Sequence, residues 1–183
     1  MAQVLGTYLS LYAEINGKGS EVAFPGTELS GKALSNGSSQ DMVAKASIIA
    51  SLKPEQTTGQ RYNTADNAQP SSWSKKWPII CEYFWLKGVG PSPAPGPQAE
   101  KYCADHFAEW QALGKNYGLK TGRVGNNRSH GMFSHFIMSK FHFDRQLDTS
   151  KCYDMMGDKV EQLDVQCAWY TALNRFREAK IIP

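Results

Sequence analysis

The chain has 183 residues, of which 41% are hydrophobic and 20% charged, and a formal net charge of +3. That is long enough for one domain with a substantial core and too apolar for a wholly disordered chain. The weak positive charge gathers into no Lys/Arg stripe, which argues against a nucleic-acid partner, and no run of about 20 apolar residues is present to span a membrane.

The opening stretch, MAQVLGTYLSLYAEING, puts Val4, Leu5, Tyr8, Leu9 and Tyr12 on one apolar helical face with no capping residue ahead of it. It has neither the basic start nor the small-residue cleavage site of a signal peptide, so the expected location is cytoplasmic, with Cys81, Cys103, Cys152 and Cys167 reduced. No C-x-x-C pair exists, and the cysteines read as structural thiols. EVAFPG (Glu21 to Gly26) predicts a short extended segment stopped by Pro25 and Gly26. Ser38 or Ser39 caps a helix whose face is Met42, Val43, Ala46, Ile49 and Ala50.

GQRYNTADN (Gly59 to Asn67) is the strongest strand candidate, bounded by Gly59 and the turn-prone Asp66-Asn67 pair. Ser71 or Ser72 caps the next helix, with Trp73, Trp77, Ile80, Cys81 and Phe84 on one side, and Pro78 predicts a kink between Ser74 and Trp77. The Pro/Gly-rich stretch 88–98 reads as a surface connection that forms neither helix nor ladder, an insertion within a single domain spanning 1–183. Helical segments follow at Ala99 to Tyr117 and around NRSHGMFSHFIMSKFHF, where Phe133, Phe136, Ile137 and Phe141 share a face. The last helix turns Trp169, Leu173 and Phe176 inward and Arg175 and Arg177 outward. The fold class is therefore α+β, mainly helical, with two or three short strands around the Glu21 and Gln60 segments.

A dinucleotide-binding turn needs G-x-G-x-x-G between a strand and a helix, because only glycine lets backbone approach the pyrophosphate, and the sequence has none. Walker, H-E-x-x-H and G-x-S-x-G patterns are absent as well. His130, His135 and His142 lie close in sequence, but i, i+7 on a helix separates side chains by about 10 Å, too far to share an ion. No metal site is expected. His135 or His130 is the candidate general acid or base, provided that the neighbouring aromatics line a cavity. Phe133, Phe136, Ile137 and Met138 read either as core or as the wall of an apolar ligand site.

Four stretches in order, LGTYLSLYAE, VAFPG with SSQDMVAKASIIASL, YNTADNAQPSSWSKKWPIICEYF, and FDRQLDTSK with AWYTALNRFREAKIIP, resemble the C-terminal, substrate-covering half of progesterone 5β-reductase and iridoid synthase-like short-chain dehydrogenases. The resemblance runs from about Gln3 to Pro183. It implies a fold derived from that half of an extended short-chain dehydrogenase, with the Rossmann half, its glycine fingerprint and its catalytic Tyr and Lys outside the sequence. It further implies a ligand faced by Gln3 and Thr7, by Leu34 in the stretch after Phe24-Pro25-Gly26, and by Phe133, Phe136 and Ile137. Gly31 stands where many members have Trp, which would open space or unsettle that loop.

Three functions fit these residues. The first is a cofactor-independent enzyme of natural-product biosynthesis that catalyses a redox-neutral intramolecular reaction, an isomerisation, elimination or cyclisation such as a cycloaddition, on an apolar polyunsaturated substrate. The second is the substrate-binding fragment or subunit of an NADPH-dependent enone reductase. The third is a non-catalytic ligand-binding or scaffold protein. By the resemblance, the ligand is a small apolar molecule of terpenoid or polyketide type. A first helix without a Rossmann partner would expose Leu5, Leu9 and Tyr12, and a patch of that kind predicts a homodimer.

Overall fold

The structure, a computed structural model, describes residues 1–92, 98–120 and 133–183. Helix α1 (Ala2–Asn16) buries every residue from Val4 to Leu11, Gly6, Thr7 and Ser10 included. A helix covered on all sides lies inside its domain. The expected one-sided face is therefore too narrow a reading: Leu5 and Leu9 are fully buried and Tyr12 packs against the same core. The exposed Leu5, Leu9 and Tyr12 patch on which the homodimer expectation rests is therefore not present in this structure. The short α1 side chains allow close approach, since a Cβ at Gly6 would already touch Leu173 at 3.3 Å.

Strand β1 (Glu21–Ala23) forms where EVAFPG predicts it. Helix α2 (Glu28–Lys32) follows, closed by a capping box in which Ser30 N donates to Thr27 Oγ1 at 3.1 Å and Thr27 N to Ser30 Oγ at 3.0 Å. Gly31 sits inside α2 rather than in a loop; its carbonyl accepts from Ser74 Oγ at 2.8 Å, and a Cβ there would meet Ser74 Oγ at 3.4 Å and the Phe24 ring at 3.7 Å. Strand β2 (Leu34–Ser35) leads to α3 (Gln40–Ser51), where Ser39 is the N-cap and accepts from Met42 N. Met42 and Ala46 face inward as expected, but Val43 is 43% exposed.

A single turn, α4 (Pro54–Thr57), precedes the stretch predicted as a strand. Residues 59–67 form no strand. Their polar groups are satisfied one at a time: Asp66 N donates to Gly37 O at 2.8 Å, Ala65 O accepts from Tyr153 Oη at 3.0 Å, and Asn63 Nδ2 donates to Asp148 O at 3.1 Å. Side chains have displaced the ladder that the sequence pattern suggests. The strand lies later, as β3 (Ser71–Ser72), antiparallel to β2 with Leu34 opposite Ser72.

Helix α5 (Trp73–Glu82) starts at once, with Pro78 inside it. Trp73, Trp77, Ile80 and Cys81 are buried, and Trp77 Nε1 donates to Val22 O at 3.0 Å. Strand β4 (Lys87–Val89) then pairs parallel to β1, Val22 beside Gly88. The start of the 88–98 stretch thus does form a ladder. Gly88 permits it, because a Cβ there would stand 2.9 Å from Pro78 Cα. Ala99 to Tyr117 is two helices, α6 (Ala99–Asp105) and α7 (Phe107–Tyr117), separated at His106, whose ring rests on Tyr102 with centroids 4.5 Å apart.

Helix α8 (Phe133–Lys140) buries Ser134 and Met138, while Phe136 is 47% exposed and Phe141 lies beyond the helix. The face named from the sequence is rotated away from the core. Helix α9 (Ser150–Met156) joins α3 in a separate small cluster of Met42, Ala46, Cys152, Met155 and Met156. Helix α10 (Val165–Glu178), capped by Asp164 Oδ1 accepting from Cys167 N at 2.7 Å, buries Leu173. Arg175 points outward to Asp41 at 2.6 Å, whereas Arg177 folds back over the Tyr83 ring and donates to Pro183 O. Cys81, Cys103 and Cys152 are buried free thiols, but Cys167 is exposed. Among the described residues no helix is long and apolar enough to cross a membrane.

Candidate functional site

β2 runs between two neighbours. β3 flanks one side, and a bridge from Ser35 to Arg145 flanks the other, with Arg145 N donating to Leu34 O at 2.8 Å. α5 rises directly from β3, so its first turn stands over this small sheet. The result is a groove of about 340 Å³ lined by Trp73, Lys76, Ile137, Arg145, Leu147 and Trp169. Its walls are mostly apolar: the Trp73 and Trp169 rings meet edge to face with centroids 6.0 Å apart, and Ile137 comes in from α8. A recess of about 300 Å³ shares Met1, Gly37 and Trp169 with it and contains Asp66.

Two cations line the groove. Lys76 is 7% exposed and its Nζ donates to Ser35 O and Ser35 Oγ, both at 3.2 Å. Burial, and after it the Arg145 guanidinium, pulls the ammonium from 10.5 down to about 8. Arg145 lies over the Phe141 ring at 4.6 Å, and its Nε is buried with no hydrogen-bond partner among the described residues. Neither side chain is in an ion pair among those residues. A larger concavity, about 460 Å³, lies at the other end of α1. There the cations are already engaged, Arg177 with Pro183 O and Lys18 with the Trp85 ring at 4.0 Å.

The residues named from the sequence do not converge on one place. Ile137 lines the groove. Leu34 is half-buried in β2 beside it, Gln3 is half-buried on α1, and Thr7 is fully buried with its Oγ1 unpartnered. Phe136 faces outward and meets Phe141 edge to face, centroids 5.0 Å apart. Phe133 opens α8. His135 lies on the α6 side of α8, where its Nδ1 meets Ser139 Oγ at 3.1 Å and its backbone N–H donates to Glu100 Oε1 at 3.3 Å. His130 lies outside the described residues. No group of three or more His, Cys, Asp or Glu side chains among the described residues could hold a metal ion.

Lys76 and Arg145 were missed. Lys76 had a signal, because it stands among Trp73, Trp77 and Ile80 on the helical stripe that goes inward, and a lysine there is out of place. Arg145 had none, since it lies in irregular chain where no period operates.

A family model described as "PRISE-like Rossmann-fold domain" matches residues 1–183. The chain belongs to this family. Among curated relatives of this PRISE-like chain, the short chain dehydrogenase sirQ of Leptosphaeria maculans is 27% identical over 100% of the chain and 45% of its own length. The short chain dehydrogenase ausT of Aspergillus calidoustus is 40% identical over 63% of the chain and 28% of its own length. A third, sirR of Leptosphaeria maculans, is 28% identical over 98% of the chain and 46% of its own length. The chain thus spans less than half the length of the curated relatives it matches.

Two of the described strand-to-helix turns offer no cradle for the pyrophosphate of a dinucleotide cofactor. Between β1 and α2 a Cβ on Gly26 would lie 2.1 Å from Met138 O, so the space that a pyrophosphate would need is filled by α8. Between β3 and α5 the strand passes into the helix without a turn.

Proposed function

We propose that this chain is a substrate-binding module of a short-chain-dehydrogenase-type enzyme of fungal secondary metabolism, with an apolar polyunsaturated substrate held in the groove between α5, α8 and α10. One observation carries this reading: the tryptophan-walled groove, lined by two cationic side chains, Lys76 and Arg145, that form no ion pair among the described residues. The chemistry that best suits such a groove is a cofactor-independent, redox-neutral rearrangement of the substrate, by isomerisation, elimination or cyclisation. Holding one flexible chain in a reactive fold supplies as much as ~7–11 kcal/mol. Lys76 and Arg145 stand where they could stabilise negative charge that develops on a carbonyl oxygen. A second reading, the substrate-binding fragment or subunit of an NADPH-dependent enone reductase, is favoured by the relatives' greater length, and it requires a dinucleotide-binding half, in the same or another polypeptide.

The two readings differ in the mass of the product. Purified protein is incubated with unsaturated terpenoid and polyketide precursors, with and without NADPH, and the products are analysed by mass spectrometry. An isomer of the substrate, or one lacking only an eliminated fragment, formed without NADPH is the expected result. A product two hydrogens heavier, formed only with NADPH and a second polypeptide, supports the reductase subunit. Saturable binding without any product, even with NADPH and a dinucleotide-binding half supplied, would overturn both in favour of a ligand-binding protein.

A further inference from the structure

The groove is lined by two cationic side chains, the buried Lys76 and the half-buried Arg145, and neither has an ion-pair partner among the described residues. Lys76 spends its two described bonds on Ser35, at 3.2 Å each, and an ammonium has three donors. Arg145 has its Nε buried and unpartnered, and Phe141 holds the guanidinium plane from one side at 4.6 Å. The nearby carboxylates are committed elsewhere: Asp144 Oδ1 accepts from Leu34 N and Asp66 Oδ1 from Ser39 N, each at 2.8 Å. Two like charges that share a partly desolvated groove repel each other, and Lys76 has lost most of its hydration there, so each lowers the tendency of the other to stay charged. Such a pair is stable only if something negative is regularly there or if the fold tolerates the cost. The walls beside them, Trp73, Ile137 and Trp169, are apolar.

We propose that the groove takes an apolar carboxylate, its carboxyl group held between Lys76 and Arg145 and its hydrocarbon body lying along Trp73, Ile137 and Trp169; this names the substrate class of the site proposed above and rests on that reading. A planar guanidinium beside an aromatic ring matches the fork of a carboxylate, and the ammonium adds a point charge. A neutral alcohol or aldehyde of the same length would gain the apolar contacts and leave both cations uncompensated.

The test compares decanoate with decan-1-ol, which share a chain and differ in charge. Both are titrated at neutral pH into the wild type, Lys76→Gln and Arg145→Gln, with calorimetry as the readout and a thermal melt to confirm that each variant is folded. The wild type is expected to bind decanoate roughly tenfold or more tightly than decan-1-ol, the size of one or two charge-assisted hydrogen bonds. Each glutamine variant should lose most of that preference and bind decan-1-ol as before. Equal affinities in the wild type would overturn the carboxylate assignment while leaving the apolar groove in place. Failure of the wild type to bind either would overturn the groove as well, and a preference that survives in both folded variants would remove it from Lys76 and Arg145. The wild-type comparison decides between the first outcomes even if a variant does not fold.

Discussion

Lys76 occupies a position that the spacing of Trp73, Trp77 and Ile80 reserves for an apolar side chain. Its folded form gives up a proton near 8, whereas the unfolded chain holds it to 10.5. Between those values the unfolded state binds more protons, so this residue's contribution to stability rises with pH through that window and is least favourable below it. Lys76→Met is therefore expected to melt several degrees above the wild type at pH 7, for a difference on the order of 3 kcal/mol at most, with the gap narrowing by pH 9.5. Measuring the gap rather than the wild type alone cancels the opposite slope from Cys81 and Cys103, whose thiols burial pushes up. A gap that stays constant with pH would show that the ammonium is not desolvated as described. Gly26 is a second decisive position. A Cβ there would stand 2.1 Å from Met138 O and 2.5 Å from the Phe24 ring, and that carbonyl is also held by the Ser30 hydroxyl. Gly26→Ala should cost roughly 2 kcal/mol or more in chemical denaturation, since backbone must move to admit it. An unchanged midpoint would contradict the packing of α8 on the β1–α2 turn.

At the scale of elements, α8 shows where the sequence pattern is a poor guide to orientation. Phe133, Phe136 and Ile137 look like an inward face, yet Ser134 and Met138 are the buried pair and Phe136 is 47% exposed. A long-range contact goes with this orientation: the Ser30 hydroxyl donates to the Met138 backbone carbonyl, which ties the end of α8 to α2. Phe136→Ala should accordingly cost less than about 1 kcal/mol, whereas Met138→Ala should cost about 2–5 kcal/mol. The reverse order in denaturation would restore the sequence-based face. α1, α3, α5 and α10 are legible because each carries an apolar period over several turns; of the alternative caps the sequence offers, Ser39 does cap α3, whereas Ser72 precedes α5 without a side-chain cap bond. The 59–67 stretch was not legible as coil. Its strand-like composition is overridden by Tyr153 and by backbone bonds from Asp66 and Leu163, contacts that depend on distant parts of the chain.

At the scale of the molecule, the family was legible in four ordered stretches before any coordinates, whereas the groove was not. It is assembled from α5, α8, α10 and the Arg145 segment, which no short motif links. The two small sheets, β1 with β4 and β2 with β3, serve as the frame that brings them together. Ile137 is the one residue named from the sequence that lines this groove, and it offers a way to fill the cavity without touching the cations. The direct measurement is the affinity of a polyunsaturated terpenoid, farnesol, for the wild type and for Ile137→Trp, with a thermal melt of each. If the groove is the ligand site, the wild type binds saturably and the variant loses roughly tenfold or more while melting within a few degrees of it. Equal affinity in two equally stable proteins would place the ligand elsewhere and contradict the account.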